Sequence, residues 1–340
     1  MIKMRGWKQF TTVSLAAALT LSACGSDKTE TSDTSDGGSE GGELSGEIFI
    51  TGSSTVEPIS TAIGELFGEE RGVIPDVEGP GTGDGFKKFC AGEADIADAS
   101  RAIKDEEKAA CESGGVEFVE LKIGLDALTV LTSEKNSDVE CLTLDDLYGL
   151  VGPESESVKK WSDASTLGAT TSLPDADLKI FAPGTESGTY DSFWELAIKK
   201  KAEEKLGKDK AEEQKLRPDY GGLANDNEIV DSIASNPTSF GWVGFAFAEK
   251  AEGVSEIKID GGDGCIEPSK ETVADGTYPL SRPLFIYVNT AKLAESDALK
   301  AFVDYYLSDD GISQVDEVGY VSLDSAALEE TRSAWADASK

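Results

Sequence analysis

Short apolar runs alternate with longer amphipathic stretches along most of this chain. Ile48-Phe49-Ile50 reads as a strand and 59–69 carries helical spacing. A Gly-rich loop over 79–85 leads into a helical start at 86–91, and 95–99 reads as a strand. Residues 104–113, charged and Ala-rich, read as a helix stopped by Gly114-Gly115. Two strands are predicted at 116–121 and 125–132, a short helix at 142–150 and a strand at 178–182. The pattern from 190 to 206 is amphipathic and Lys/Glu-rich, hence helical. Further on come a helix at 225–233, a strand and turn at 240–248 and a strong strand at 284–288. Helices are predicted at 291–307, 309–318 and 324–338. Such alternation predicts an α/β fold, a parallel or mixed sheet with helices on its faces. The extended segments 121–132 and 280–289 are candidate crossovers. They divide the body into lobe I, 45–126 plus 284–340, and lobe II, 127–283.

The first residues follow a different pattern. Lys3, Arg5 and Lys8 precede an apolar core over 10–21, too short for a spanning helix of about 20 residues. Leu21-Ser22-Ala23-Cys24 then resembles a bacterial lipobox, which implies a leader of 1–23, cleavage before Cys24 and a lipid on its sulfur. Residues 24–44 are mostly Ser, Asp, Thr, Glu and Gly and read as a flexible acidic tether. No later segment is long and apolar enough to span a bilayer. The expectation is a globular body, held outside the cell on a membrane by its lipid.

Charge narrows the partners. The net charge is −34, from 65 acids and 31 bases. Such a surface repels nucleic acid and suits a salt-exposed extracellular setting. An anion bound here must be drawn by local dipoles and a few cations. Besides Cys24 there are four cysteines, an even number that predicts two disulfides in an exported chain. The order of segments favours Cys90–Cys111 and Cys141–Cys265, one in each lobe, which leaves a hinge free. There is no histidine and no C-x-x-C, so neither zinc nor a Ser-His-Asp triad is supported. No segment matches a nucleotide-binding phosphate loop, and no cofactor is expected. A metal-dependent phosphatase built on Asp and Glu is the enzyme alternative.

Four loops share one chemistry. They are Gly52-Ser53-Ser54-Thr55-Val56, the Gly79-to-Gly85 loop with Thr82, Ser100-Arg101 at a strand end, and Ser187-Gly188-Thr189 before a long helix. Each puts hydroxyls or bare amides where a strand gives way to a helix, and helix N-termini add partial positive charge. In open α/β sheets ligands sit outside the carboxyl ends of strands. Convergence of the loops would hold a small oxyanion, with Arg101 giving a two-pronged contact. Each loop also has a plain reading as a helix cap or a turn. Trp161, Trp194 and Trp242 read as packing, and Tyr190 and Phe193 as core. The Lys-rich run 199–215 reads as a solvated helix face, and Arg282 as a hinge brace paired with an acid.

The strings Gly52-Ser53-Ser54-Thr55-Val56, Ala94-Asp95-Ile96-Ala97-Asp98-Ala99-Ser100-Arg101, Ser187-Gly188-Thr189-Tyr190-Asp191 and Tyr278-Pro279-Leu280-Ser281-Arg282-Pro283, in this order and spacing, resemble the phosphate-binding lipoproteins of the phosphate ABC importer, the PstS family. The resemblance covers roughly 46–320. It implies a class II periplasmic-binding-protein fold, two α/β lobes joined by two crossover strands, closing on inorganic phosphate as a monomer and delivering it to a membrane ABC permease. It implies phosphate contacts from Thr55, the Val56 amide, Thr82, Ser187, Gly188 and Thr189. Two departures stand out. Better-known members carry an aspartate where Ser100 stands, which accepts the phosphate proton and helps exclude sulfate. They also carry an arginine where this chain has Pro183. Arg101 is the substitute cation, and Asp98, Asp84 and Asp226 are candidate proton acceptors. The alternatives are a receptor for another tetrahedral oxyanion (sulfate, molybdate or arsenate) and an extracellular sensor or adhesion module.

Overall fold

The helix Glu57–Arg71 shows how sequence becomes element here. Pro58 sits in its first turn, where the missing N–H costs nothing, and Glu57 faces the positive end of the helix dipole. Ile59, Ile63 and Phe67 recur at i, i+4 and i+8 and are buried together. Gly72, at φ 79°, ends the helix in the left-handed region that glycine enters at low cost. The computed structural model containing it describes residues 44–185 and 187–340. The expected leader, Cys24 and the tether as far as residue 43 lie outside them, as does Glu186. Leu44, expected to end the tether, packs against the core.

Among the described residues the strands are β1 Phe49–Gly52, β2 Asp76–Glu78, β3 Ile96–Ala99, β4 Phe118–Ser133, β5 Cys141–Thr143, β6 Lys179–Pro183, β7 Gly221–Leu223, β8 Ser239–Gly244, β9 Val254–Glu256, β10 Lys258–Asp260, β11 Cys265–Ile266 and β12 Ser281–Asn289. The main sheet runs β2-β1-β3-β12-β4-β8-β6-β7, with β9 also on β4, and β11-β10-β5 form a small second sheet. β1 is parallel to β2 and β3, while β12 returns antiparallel to both β3 and β4. This is the mixed α/β architecture that the alternation predicts.

β4 replaces the two strands expected at 116–121 and 125–132. It pairs with β12 through its first part and with β8 over 128–132, so one strand serves two neighbours. An irregularity in register at Leu284/Phe285, beside Gly124, bends the pair without ending it. The helix expected over 190–206 is three segments: Gly188–Phe193, a π-helical turn Trp194–Ile198, and Lys199–Leu206. The region 309–318 splits into Asp309–Ile312 and Gln314–Glu317.

The core is segregated along the sequence. Ile50, Ile63 and Phe67 from the start pack with Leu284, Phe302 and Tyr306 from the end. Leu128, Trp161, Trp194, Trp242 and Tyr278 belong to a separate cluster from the middle of the chain. Cys90 is bonded to Cys111 and Cys141 to Cys265, the pairing that segment order favours. The first bridge joins helix Thr82–Cys90 to helix Asp105–Ser113, and the second joins β5 to β11.

Candidate functional site

β1 ends at Gly52, whose φ of 151° and surroundings admit no side chain: a Cβ there would stand 2.0 Å from Asp98 O. The chain then turns through Ser53 to Val56. Ser53 N–H donates to Asp98 O at 2.9 Å, and Thr55 N–H donates to Ser53 Oγ at 3.2 Å. Val56 N–H, expected to meet the anion, donates to Ser53 O at 3.1 Å, so the turn itself uses this amide. Helix Thr82–Cys90 rests directly on this turn. Gly81 N–H donates to Gly52 O at 2.7 Å, and a Cβ on Gly85 would fall 2.4 Å from Gly52 Cα. Thr82 is therefore the first residue of a helix rather than part of the loop before one.

Two expected residues come together here. Thr82 Oγ1 accepts Ser100 N–H at 3.2 Å and lies 3.2 Å from Ser100 Oγ. Arg101 follows on the rim. Its terminal nitrogens donate to both oxygens of Glu107, at 2.8 and 2.7 Å, and its guanidinium lies 5.7 Å from the Phe86 ring centre. Burial raises the Glu107 carboxyl, but hydrogen bonds from Arg101 and from the Lys104 amide outweigh it and hold the group below its usual value.

These residues form one wall of an open cleft of about 710 Å³. The opposite wall carries Asp191, Trp194, Glu195 and Lys215, and Arg282 lies with them on the surface of the cleft. Trp194 and Glu195 stand on the π-helical turn, a local widening that recurs at functional sites. Lys215 is the non-glycine residue at positive φ, 45°, among the described residues, and its Nζ donates to Asp191 at 2.8 Å. Two lysines of the run read as a solvated face, Lys199 and Lys215, thus border the cleft.

Ser187, Gly188 and Thr189 are not part of this wall, although Asp191 just beyond them is. Ser187 Oγ accepts Thr189 N–H at 3.2 Å as a helix cap, and a Cβ on Gly188 would face Tyr320 Oη at 3.5 Å. Thr55 is also set back, 2% exposed, behind Arg282. The Arg282 guanidinium is the densest junction in the region. Nε donates to Asp126 at 3.0 Å, Nη1 to Glu195, and Nη2 to Thr55 Oγ1 at 3.0 Å and Ser192 Oγ at 3.1 Å. Asp126 is its direct partner in the β4/β12 register. Burial opposes the charge, but the two carboxylates more than offset it and hold the group above its ordinary value. The acid expected beside Arg282 is present twice.

Among the candidate proton acceptors, Asp84 borders the cleft, paired with Lys87 at 2.6 Å. Asp98 does not. β3 ends at Ala99, the chain turns at Ser100, and the Asp98 carboxyl stays fully buried with Ser60 Oγ donating to it at 3.0 Å. Burial raises Asp226, which also lies off the cleft. Asp191, Glu195 and Lys215 were not singled out from sequence. Neither a π turn nor a left-handed lysine has a sequence signal, so nothing short of the fold placed them. The cleft gathers six cations (Lys87, Arg101, Lys104, Lys199, Lys215, Arg282) with four carboxylates on its surface, and Glu107 and Asp126 behind it pair Arg101 and Arg282, so the site is close to neutral in a chain of −34.

Known proteins are similar to this chain. A PBP superfamily domain matches residues 28–310. Protein SphX of Synechocystis sp. is 38% identical over 285 residues, spanning 83% of this chain and 80% of that protein. Phosphate-binding protein PstS of Staphylococcus saprophyticus is 34% identical over 323 residues, spanning 94% of this chain and 91% of its own. The crystal structure of a possible phosphate binding protein from Planctomyces limnophilus superposes with a TM-score of 0.78 at 37% identity, covering 87% of this chain and 100% of that one. This chain belongs to the PBP superfamily and, within it, to the family of phosphate-binding proteins that these PstS relatives represent.

Proposed function

We propose that the protein is an extracytoplasmic receptor that captures inorganic phosphate in this cleft and delivers it to a membrane ABC permease. The observation that carries the reading is the set of cations in the cleft: six of them, five held in ion pairs that an entering anion can exchange, in a chain of −34. A cleft that gathers cations in so acidic a protein is a device for admitting an anion. The relatives that carry the name phosphate-binding protein support phosphate as that anion. Lipid on Cys24 would hold the protein at the membrane, and among the described residues no helix is long and apolar enough to cross one.

The proposed mechanism is closure of two lobes, 45–126 plus 284–340 and 127–283. The segregated core clusters support that division, and the β4/β12 pair, which passes between them, is the proposed hinge. Thr82 and Ser100 would receive phosphate on the first lobe, with Arg101 bordering them. Closure would bring Ser187, Gly188 and Thr189 of the second to it, and the loop holding Thr55 and Val56 would open one amide toward the ligand. The reading is of a monomer that binds without turnover. Its test is calorimetric titration of the purified protein, stripped of bound anion, with phosphate and then sulfate. Phosphate binding that survives excess sulfate is the expected result. Heat with sulfate alone would make it a receptor for another oxyanion, and heat with neither would make the loops helix caps and turns only.

A further inference from the structure

Arg282 is held by more carboxylate than its single charge balances. Asp126 and Glu195 both take its N–H groups, yet their settings differ. Asp126 is 3% exposed in its side chain, lies on the neighbouring strand and is opposite Arg282 in register. It is a fixed buried partner, and removing it would leave the Nε–H without a partner in the interior. Glu195 is 40% exposed, lies on the cleft surface and belongs to a π-helical turn of another element. Its contact is with Nη1 alone. Thr55 and Ser192 occupy Nη2, so Nη1 is the cleft-side arm of the group.

We propose that Arg282 is the cation that receives the anion in this cleft, and that Glu195 is an internal competitor which an entering phosphate displaces from Nη1. The proposal rests on the phosphate reading above and deepens it. It supplies the positive charge that Pro183 does not. Arg101 is less able to do so, because both its terminal nitrogens are bound by one carboxylate, Glu107, which also accepts the Lys104 amide. Displacing Glu107 from Arg101 breaks two hydrogen bonds, whereas displacing Glu195 from Arg282 breaks one. The swap at Arg282 also replaces one oxyanion by another, so the guanidinium is charge-paired before and after. Thr55 gains a role without reaching the cleft: its hydroxyl accepts from Nη2 and fixes the plane of the guanidinium.

The test is a phosphate titration of the full protein and its Glu195→Gln variant. Gln keeps the shape and removes the charge, so loss of a partly exposed competitor is expected to tighten phosphate binding by about two- to fivefold. Arg282→Lys is expected to weaken binding by roughly tenfold or more, since Lys lacks the planar two-pronged donor. In the Arg282→Lys background, Glu195→Gln is expected to have little further effect, because it acts through Arg282. Should Arg282→Lys not fold, Glu195→Ala gives the second reading and must tighten binding at least as much as Glu195→Gln. Unchanged or weaker binding in the Glu195 variants overturns the proposal while leaving the phosphate reading intact. A parent protein that binds no phosphate overturns that reading instead.

Discussion

Asp98 shows what burial does to a single carboxyl in this protein. It has no exposed surface, its Oδ2 has no hydrogen-bond partner among the described residues, and its pKa is pushed up to about 8. Burial is the main cause; the hydrogen bond from the Ser60 hydroxyl pulls the other way, and Glu57 adds a smaller push upward. The folded value lies above the unfolded one near 4, so the native state holds this proton more tightly. The associated stability is therefore complete below about pH 4 and is lost as pH rises toward 8. At about 1.4 kcal/mol per pH unit the effect is large for one residue. Asp98→Asn keeps the acceptor for Ser60 and cannot ionise. Its melting temperature relative to the parent should climb between about pH 4 and pH 8 and level off above. A constant difference across that window would show that Asp98 ionises freely in the folded protein.

At the scale of elements, two glycines one turn into the same helix have different functions. In helix Thr82–Cys90 a Cβ on Gly85 would stand 2.4 Å from Gly52 Cα and 2.9 Å from Thr51 O, atoms of a strand that cannot move aside. A Cβ on Gly83 would meet Arg101 Nη2 at 4.0 Å, an ordinary distance. Gly85→Ala should thus push the helix off β1, cost about 1–3 kcal/mol and weaken phosphate binding by displacing Thr82. Gly83→Ala should leave stability equal or raised by up to about 1 kcal/mol through helix propensity. Equal melting of the two variants would remove the close approach from the account of the site. From sequence, the four loops were legible as strand-to-helix turns. What they touch was not legible. The Thr82–Ser100 contact depends on β1 and β3 being neighbours, and the Glu195–Arg282 contact joins residues 87 positions apart. Local pattern carries neither. The same limit explains β4: periodicity saw two strands because Lys122 and Gly124 interrupt the apolar run, while hydrogen bonding to β12 continues past the register irregularity there.

For the whole molecule, the problem is a divalent anion approaching a body of charge −34. The cations of the cleft are mostly paired: Lys87 with Asp84, Arg101 with Glu107, Lys199 with Glu212, Lys215 with Asp191 and Arg282 with two acids. Paired charges act as dipoles, and their field fades faster with distance than that of a net charge. Far from the cleft the molecule therefore repels phosphate, and within a few ångströms the cleft attracts it. Salt separates these two ranges. Raising ionic strength from about 0.01 to 0.15 M shortens the screening length from about 30 to 8 Å, which removes the distant repulsion and spares contacts inside the cleft. The association rate for phosphate, followed by stopped flow in sodium chloride, should rise a few-fold over that range. Rates for oppositely charged partners fall under the same change. A falling rate here would mean that the cations of the cleft act beyond its rim and steer the anion, and that the acidic surface does not oppose capture.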